Sequence, residues 1–544
     1  MNMRIPARSF VRPVQYLLRR SKHSRSLVPA LLRFVFLCAA LAFAPMLTRA
    51  QTQVFTRWDA TLNNFSPAAI AADAQGNVYL VGNAFGEMLT MKYNSDGRVL
   101  WESWLGDANQ FPAGVDIGVD GNGNVYSLGV LNSEFATAKY NSSGVRQWVD
   151  YFHISGSSIQ PTNIAVKPDG HVFVSGTSTD QSTGGTKALL IAYSPSGTQL
   201  WMQSTFLSGL DGFGHGVSIG VDADPQGNAV WGVYYDGNNQ EYYSVIIKYD
   251  SNGNLLATNS TSNFAHSLAD LTSLKVDSKG NWYAAGTGDF TDINGDANFI
   301  AAKYDPAGNI IWFDDLVPSS LGASLLTSHI APNADGSVFV SPVPGGVAKS
   351  LAKFTSSGTL LWSVQDGGFI ASNSLGNVYV AGTNLSKYDP NGVLVWQRPF
   401  VGPSNQVGNP SAMTIEGGDL VLTGTATVNG TPASLTADYV QDAAKLTPLS
   451  LTFPAQAVGT QSPAQTITLK NTAEQSLAIL KITSQSLDFP QTNNCPASLA
   501  PGASCTISVS FAPASSGAIK SQLEVQDPWA GSPQFVKLTG TATQ

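Results

Sequence analysis

One turn recurs seven times along this chain without a change in its internal spacing. An aromatic residue is followed four positions later by glycine: Tyr93 to Gly97, Tyr140 to Gly144, Tyr193 to Gly197, Tyr249 to Gly253, Tyr304 to Gly308, Phe354 to Gly358 and Tyr388 to Gly392. Six of these glycines are followed, again four positions on, by tryptophan: Trp101, Trp148, Trp201, Trp312, Trp362 and Trp396. The copies succeed one another at intervals of about 35 to 55 residues, a period that marks a repeat architecture. Few folds accept such a constraint.

A second phrase precedes each aromatic. Asp73 leads to Gly76-Asn77-Val78-Tyr79 and Gly82, and Asp120 leads to Gly123-Asn124-Val125-Tyr126 and Gly129. It returns at Gly170, Gly227, Gly280, Gly336 and Gly376, with a weaker eighth copy from Gly417 to Gly424. Asp or Asn followed by Gly-Asn suits a tight turn, because Gly and Asn tolerate positive φ and the Asp side chain caps the turn. Short β-rich runs flank it, so each unit reads as four strands, a to d. In the first unit a ends at Asp73, b follows Gly76, c is Leu89 to Tyr93 and d is Arg98 to Trp101. Four antiparallel strands repeated about eight times predict a β-propeller, with the tryptophan on d as a wedge between blades. The eighth unit lacks a d strand, while Val54 to Trp58 is a d strand without a unit. Pairing the two would close the ring and remove its exposed edges. We count eight blades; seven is the alternative.

The phrase Asp-x-x-Gly-Asn-Val-Tyr-x-x-Gly, then Lys-Tyr-Asp-x-x-Gly and Trp, resembles the bacterial SBBP-type β-propeller repeat family. It is clearest at Asp277 to Trp312 and Asn373 to Trp396 and extends over residues 54 to 440. The resemblance implies a secreted propeller and no common reaction. Repeats of that family are usually assigned to seven blades. The Gly-x-x-x-Trp ending is also similar to the tryptophan-docking motif of the eight-bladed quinoprotein dehydrogenases. Here the spacing from Asp305 to Gly308 is one residue shorter, and no two cysteines are adjacent. We read that similarity as shared blade mechanics.

Residues 447–544 differ in kind. Runs such as Thr466 to Leu469, Leu477 to Leu480, Thr506 to Val509 and Phe535 to Leu538 lie between Pro, Gly and Ser turns. About seven short strands in about a hundred residues predict an immunoglobulin-like sandwich after a linker at 441–446. Leu451-Thr452-Phe453, Leu499-Ala500-Pro501-Gly502, Phe511-Ala512-Pro513 and Leu538-Thr539-Gly540 resemble the bacterial choice-of-anchor D domain, related to the ASPM/SPD-2/Hydin sandwiches. One departure is Ala473, where the family's Asn-Thr-Gly turn has glycine. Such domains often precede a sorting tail, and no apolar anchor follows before Gln544.

Residues 1–50 hold nine Lys/Arg and no Asp or Glu, then an apolar stretch from Phe34 to Leu47 and the small residue Ala50. This order predicts a signal peptide and a mature start near Gln51. An uncleaved membrane anchor is the alternative. The apolar run is short for a span, so no membrane span is expected after cleavage. The expected location is secreted or on the outer cell surface. Without the leader, 20 Lys/Arg face 37 Asp/Glu, a net charge of −17. An acidic surface repels phosphate backbones, so nucleic acid is not expected as a partner. Cys495 and Cys505 alone remain, and two cysteines in a secreted domain favour a disulfide over a metal site, which needs more ligands.

No metalloprotease, nucleophile-elbow or phosphate-loop motif occurs. Asp292, Asn294 and Asp296 alternate as calcium ligands do, yet Gly295 is misplaced and Lys303 stands where a closing Glu belongs. The pattern reads as a calcium loop or as a solvated hairpin tip. The a–b and c–d turns are nearly invariant, whereas the connections on the other side vary. From the glycine ending b to the lysine ending c is 10 residues in blade one, 17 in blade five and 5 in blade seven. Variation gathered on one face of a repeat protein marks its binding face. That face is expected to carry Glu87, Phe111, Glu134, His153, Phe213, His215 and His266. Asp116, Asn163, Ser218, Ser273 and His329 would lie at matching positions on the inner strands. Aromatic rings beside carboxylates and amides suit a glycan or an extended peptide, bound without catalysis by a monomer. The alternative is an extracellular glycan-cleaving enzyme with paired carboxylates at the channel mouth.

Overall fold

A computed structural model describes residues 54–544 except 74, 107–109, 111, 207–215, 238–240, 261–267, 289–298, 317–324, 345–350, 374, 403–405, 417–418, 442, 474 and 529–531. The described residues are all-β, with no helix among them. Seven four-stranded antiparallel sheets follow one another, over 65–105, 113–152, 157–205, 216–260, 268–316, 325–364 and 369–398, each in the order a-b-c-d. An eighth joins Asn409–Glu416, Asp419–Val428 and Thr431–Gln441 to Val54–Asn63. In it Thr56 lies opposite Tyr439 and Trp58 opposite Asp438. The a strands of consecutive sheets pack side by side, and that of sheet 8 also packs against that of sheet 1. This row of eight sheets is propeller-like.

The repeat's polar residues build the a–b turn. Gly76 donates its amide to the Asp73 carbonyl (2.9 Å) and Asp73 donates to that of Asn77 (3.1 Å). Gly76 takes φ +79°, the left-handed region where a Cβ costs energy. The Asp73 carboxylate accepts the amides of Gln75 and Asn77, the Asn77 side chain and the Tyr79 hydroxyl (2.7 Å). Burial pushes this carboxyl up, but the bonds from Tyr79, Asn77 and Gln75 outweigh it and hold it below the ordinary carboxylate range. Asp120 and Asp277 repeat the arrangement with Tyr126 and Tyr283.

The tryptophans join one sheet to the next. A Cβ built on Gly97, Gly144, Gly197, Gly253, Gly358 or Gly392 would come within 2.5–2.9 Å of Trp58, Trp101, Trp148, Trp201, Trp312 or Trp362 respectively. Each of these indoles belongs to the preceding sheet, and Trp58 of sheet 8 lies over Gly97 of sheet 1. The same rings pack on the aromatic of the turn they cover, as Trp58 does on Tyr93 (5.5 Å) and Trp148 on Tyr193 (6.1 Å). Trp101, Trp148, Trp201 and Trp362 also donate Nε1 to a carbonyl of that turn. Sheet 4 has Ala257 in place of the tryptophan. Trp282, from strand b of sheet 5, fills the space over Gly308 instead. Lysines on strand c add a second tie. Lys139 donates to the Pro195 carbonyl of the next sheet (3.0 Å) while lying over the Tyr126 ring (4.9 Å), and Lys353 does the same with Pro390 and Phe339.

The C-terminal unit packs two sheets, one of Ala444–Thr447, Gln465–Asn471, Ser504–Val509 and Gln491–Asn493. The other holds Ser450–Thr452, Gln534–Thr543, Gly517–Gln526 and Lys481–Ser484, with Gln456–Ala457 also on Gln534–Thr543. Phe453, Phe489 and Phe511 cluster in its core, and Cys495 is disulfide-bonded to Cys505. The unit starts before residue 447. Ala444–Thr447 is already paired with Gln465–Asn471, and Ala443, Ala444 and Leu446 are buried in the sandwich core. Residues 443–446 are therefore structural, because Ala443, Ala444 and Leu446 complete that core. Ala473 replaces glycine without strain: the buried Asn471 accepts its amide and donates to the Gln475 and Leu499 carbonyls.

The glycine beneath each indole carries a steric and a backbone requirement together. Gly144→Ala adds a Cβ at 2.5 Å from Trp101 at φ +83°. We expect it to cost about 2–4 kcal/mol in denaturant unfolding. Gly184→Ala, at φ +75° with nothing within 4 Å, isolates the backbone cost, about 1–2 kcal/mol. Equal losses would show that the indole contact contributes nothing.

Candidate functional site

Strand a of sheets 1 to 7 ends at the regular a–b turn, so its other end points to the face that carries the b–c and d–a connections. Glu87 and Glu134 each open strand c in sheets 1 and 2, directly after a two-residue hairpin, and both are half-buried. His153 follows strand d of sheet 2 and is exposed. Asp116, Asn163 and His329 lie within the a strands of sheets 2, 3 and 6. Phe111, Phe213, His215, His266 and the calcium candidates Asp292, Asn294 and Asp296 lie outside the described residues.

Among the described candidates only Asp116 and Asn163 are hydrogen-bonded to one another. The cause is a recurring bulge. Pairing of a with b slips between Gly114 and Asp116, Pro161 and Asn163, and Ser218 and Gly220. A bulge takes backbone groups out of the ladder, and side chains of the preceding sheet engage them. Asp116 accepts the Ile164 amide (2.9 Å) and Asn163 Nδ2 (2.6 Å), while Asn163 Oδ1 accepts the Val221 amide (2.9 Å). Asp116 also accepts the Ile117 amide (2.9 Å). Burial nonetheless wins, and the Asp116 carboxyl is held above its ordinary range against these bonds and the Lys275 charge. Asp116 and Asn163 thus tie sheets 2, 3 and 4 together. That role occupies the atoms a ligand would use.

Two inner-strand expectations need correction. Ser218 is buried at 3 % exposure and accepts the Trp231 indole N–H (3.0 Å), so it faces the core. The position in register with Asp116 and Asn163 is Gly220, because the bulge falls between Ser218 and Gly220. His329 stacks on Phe369 of sheet 7, with centroids 4.7 Å apart. Burial first, and the Lys275 charge second, lower its pKa to about 4. At neutral pH it is an uncharged packing ring.

The hairpins on this face hold residues that sequence reasoning passed over. Ala84 pairs with Glu87, Leu131 with Glu134 and Val428 with Thr431, each across two residues at positive φ. This is the type I′ geometry that suits twisted strands. The residues are Asn132-Ser133 in sheet 2, Asn429-Gly430 in sheet 8 and Phe85-Gly86 in sheet 1. Phe85 is 64 % exposed and faces Trp104 on strand d, itself 38 % exposed, at 6.4 Å. Tyr151, exposed on strand d of sheet 2, stands three residues after Trp148 as Trp104 stands three after Trp101. Aromatic faces beside Glu87, Glu102 and Glu134 can stack on apolar ring faces and accept hydroxyl or amide hydrogens. No group of three or more His, Cys, Asp or Glu among the described residues could hold a metal ion.

Comparison with known proteins covers parts of the chain. Residues 444–527 match the family model described as transmembrane protein 131-like N-terminal. No curated protein matches the sequence. Solved structures that resemble the fold include Sqt1 from Chaetomium thermophilum, at 11% identity over 71% of this chain and 99% of that one, TM-score 0.46. Drosophila Plexin A in complex with Semaphorin 1b matches at 10% identity over 71% of this chain and 87% of that one, TM-score 0.37. The ASH/PapD-like domain 7 of human CEP192 matches at 17% identity over 19% of this chain and 86% of that one, TM-score 0.15.

His329 gives the inner strands a pH signature. Its folded pKa, about 4, lies below the ordinary 6.5, so the unfolded chain takes up the proton first. The stability this provides is present above about pH 6.5 and is lost as pH falls toward 4. His329→Phe keeps a ring against Phe369 and removes the titration. Its melting temperature should fall less steeply over that window than the wild type's, and parallel profiles would refute the assignment.

Proposed function

We propose that this chain is a secreted or cell-surface binding protein. In this reading the eight sheets close as an eight-bladed propeller of the SBBP-repeat kind, with Val54–Asn63 as the last strand. The C-terminal sandwich, read as a choice-of-anchor D domain, serves as a stalk or attachment module. The ligand is a glycan or an extended peptide, held without catalysis on the face of the variable connections.

The observation that carries this reading is the contrast between the two faces. On the regular face the Asp, Tyr, Lys and Trp of the repeat are engaged in turn closure and in bonds to the next sheet, as at Asp120, Tyr126, Lys139 and Trp148. On the opposite face Glu87 and Glu134 recur in sheets 1 and 2 alone of the first three, whereas the hairpin residue Phe85 becomes Asn132 in sheet 2 and the Trp104 position holds Tyr151 in sheet 2 and Ser204 in sheet 3. Side chains that do not repeat are not needed by the repeat, and exposed loop residues on a rigid scaffold are where binding is found.

Glu134→Gln and His153→Ala should weaken capture of the ligand while changing unfolding free energy by less than about 1 kcal/mol. The comparison is with Asn122→Ala and Ser143→Ala on the regular face, which should leave capture intact. Equal loss from both faces, or turnover of a glycan, would overturn the reading. Closure has its own test. Deleting residues 54–63 leaves Thr431–Gln441 as an open edge and Gly97 without its indole, so the whole propeller should melt at a lower temperature. An unchanged melting temperature would refute closure.

A further inference from the structure

Phe85 violates two local preferences at once. It is a bulky residue at φ +53°, where Asn and Gly are favoured, and it leaves 64 % of its surface in water. Among the described residues the other two hairpins of this type obey the preference, with Asn132 and Asn429 at the same first position. Sheet 1 therefore had an unstrained solution available. The ring that replaces it is turned to Trp104, 6.4 Å away at an interplanar angle of 42°, and both remain accessible. Strained residues that the fold does not require are markers of function.

The surroundings select the ligand. Glu87 follows the hairpin by one residue past Gly86, and the exposed Glu102 lies on the same side of strand d as Trp104, two residues away. Tyr151 repeats the Trp104 position on the neighbouring sheet, close in sequence to the exposed His153. Tilted aromatic rings flanked by carboxylates match a pyranose, whose C–H face packs on a ring while its hydroxyls donate to carboxylate oxygens. The carboxylates oppose an acidic sugar or a polyanion.

We propose that Phe85 and Trp104 form the primary subsite for an uncharged polysaccharide, whose chain continues across the outer strands toward Tyr151. This rests on the variable-face reading above and specifies its ligand class and location.

The test uses the full chain in native gels containing soluble xylan, mixed-linkage β-glucan or mannan, with variants Phe85→Asn, Trp104→Ala, Glu134→Gln and His153→Ala. Phe85→Asn installs the Asn-Gly pair that type I′ hairpins prefer. It should melt at or above the wild-type temperature yet bind at least about tenfold more weakly, as expected for loss of a ring at a binding centre. Trp104→Ala should lose binding to a similar extent. A lowered melting temperature for Phe85→Asn would make Phe85 a packing residue and overturn the proposal. Undiminished retardation of Phe85→Asn and Trp104→Ala would also overturn it, and loss in Glu134→Gln or His153→Ala would then leave the variable-face reading standing. If none of the three polysaccharides retards the wild type, the uncharged-glycan assignment falls.

Discussion

The contact on which the rest depends is an indole laid across a glycine. Six tryptophans cover the turn glycine of the next sheet so closely that a Cβ could not be placed there. Each glycine also needs positive φ, so two constraints of different origin meet at one atom. This explains why the aromatic, the glycine and the tryptophan keep fixed spacing while the rest of each unit drifts. A turn that shifted by one residue would move the glycine from under the ring. The junction from sheet 4 to sheet 5 shows that the filled volume matters more than the residue supplying it. Ala257 leaves a gap over Gly308, and Trp282, from the same sheet as Gly308, closes it.

The same interlock divides the molecule chemically. Aspartates of the a–b turns accept local amides, and Asp73, Asp120 and Asp277 a tyrosine hydroxyl as well, while lysines of strand c reach carbonyls across the junctions. Charged groups so engaged stabilise the repeat and are poorly placed to meet a ligand. The inner strands extend this economy of contacts through Asp116 and Asn163, which satisfy amides released by the bulges. What is left for recognition lies on the outer part of the opposite face, where Phe85, Trp104 and Tyr151 are accessible.

Much of this was legible in the sequence because it repeats. The Asp-to-Gly and aromatic-to-Gly spacings fix turn geometry locally, and seven copies average out the weak ones. Candidate binding residues recur in a few sheets at most, as Glu87 and Glu134 do, so the repeat says less about them. Asp116, Asn163 and His329 stand at matching positions on the inner strands, but nothing in a single strand reports what the adjacent sheet brings to it. Ser218 stands six residues before the turn residue Asp224, whereas Asp116 and Asn163 stand four before Asp120 and Lys167, so the count from the turn points to Gly220, the residue after the shared bulge. Phe85 carries no signal in the sequence, because a phenylalanine between strands looks like ordinary filler until its φ is known.

The sequence by itself determined the all-β class, the four-stranded unit and its turns, because these depend on interactions within about thirty residues of chain and on steric rules for glycine, and it marked the wedge residues because they repeat at fixed spacing. Only the tertiary structure decided that Trp282 substitutes for a missing wedge, that Asp116 and Asn163 serve backbone amides, and that sandwich pairing begins at Ala444. Those outcomes depend on which side chains face one another across separate sheets, and distance along the chain carries no information about that.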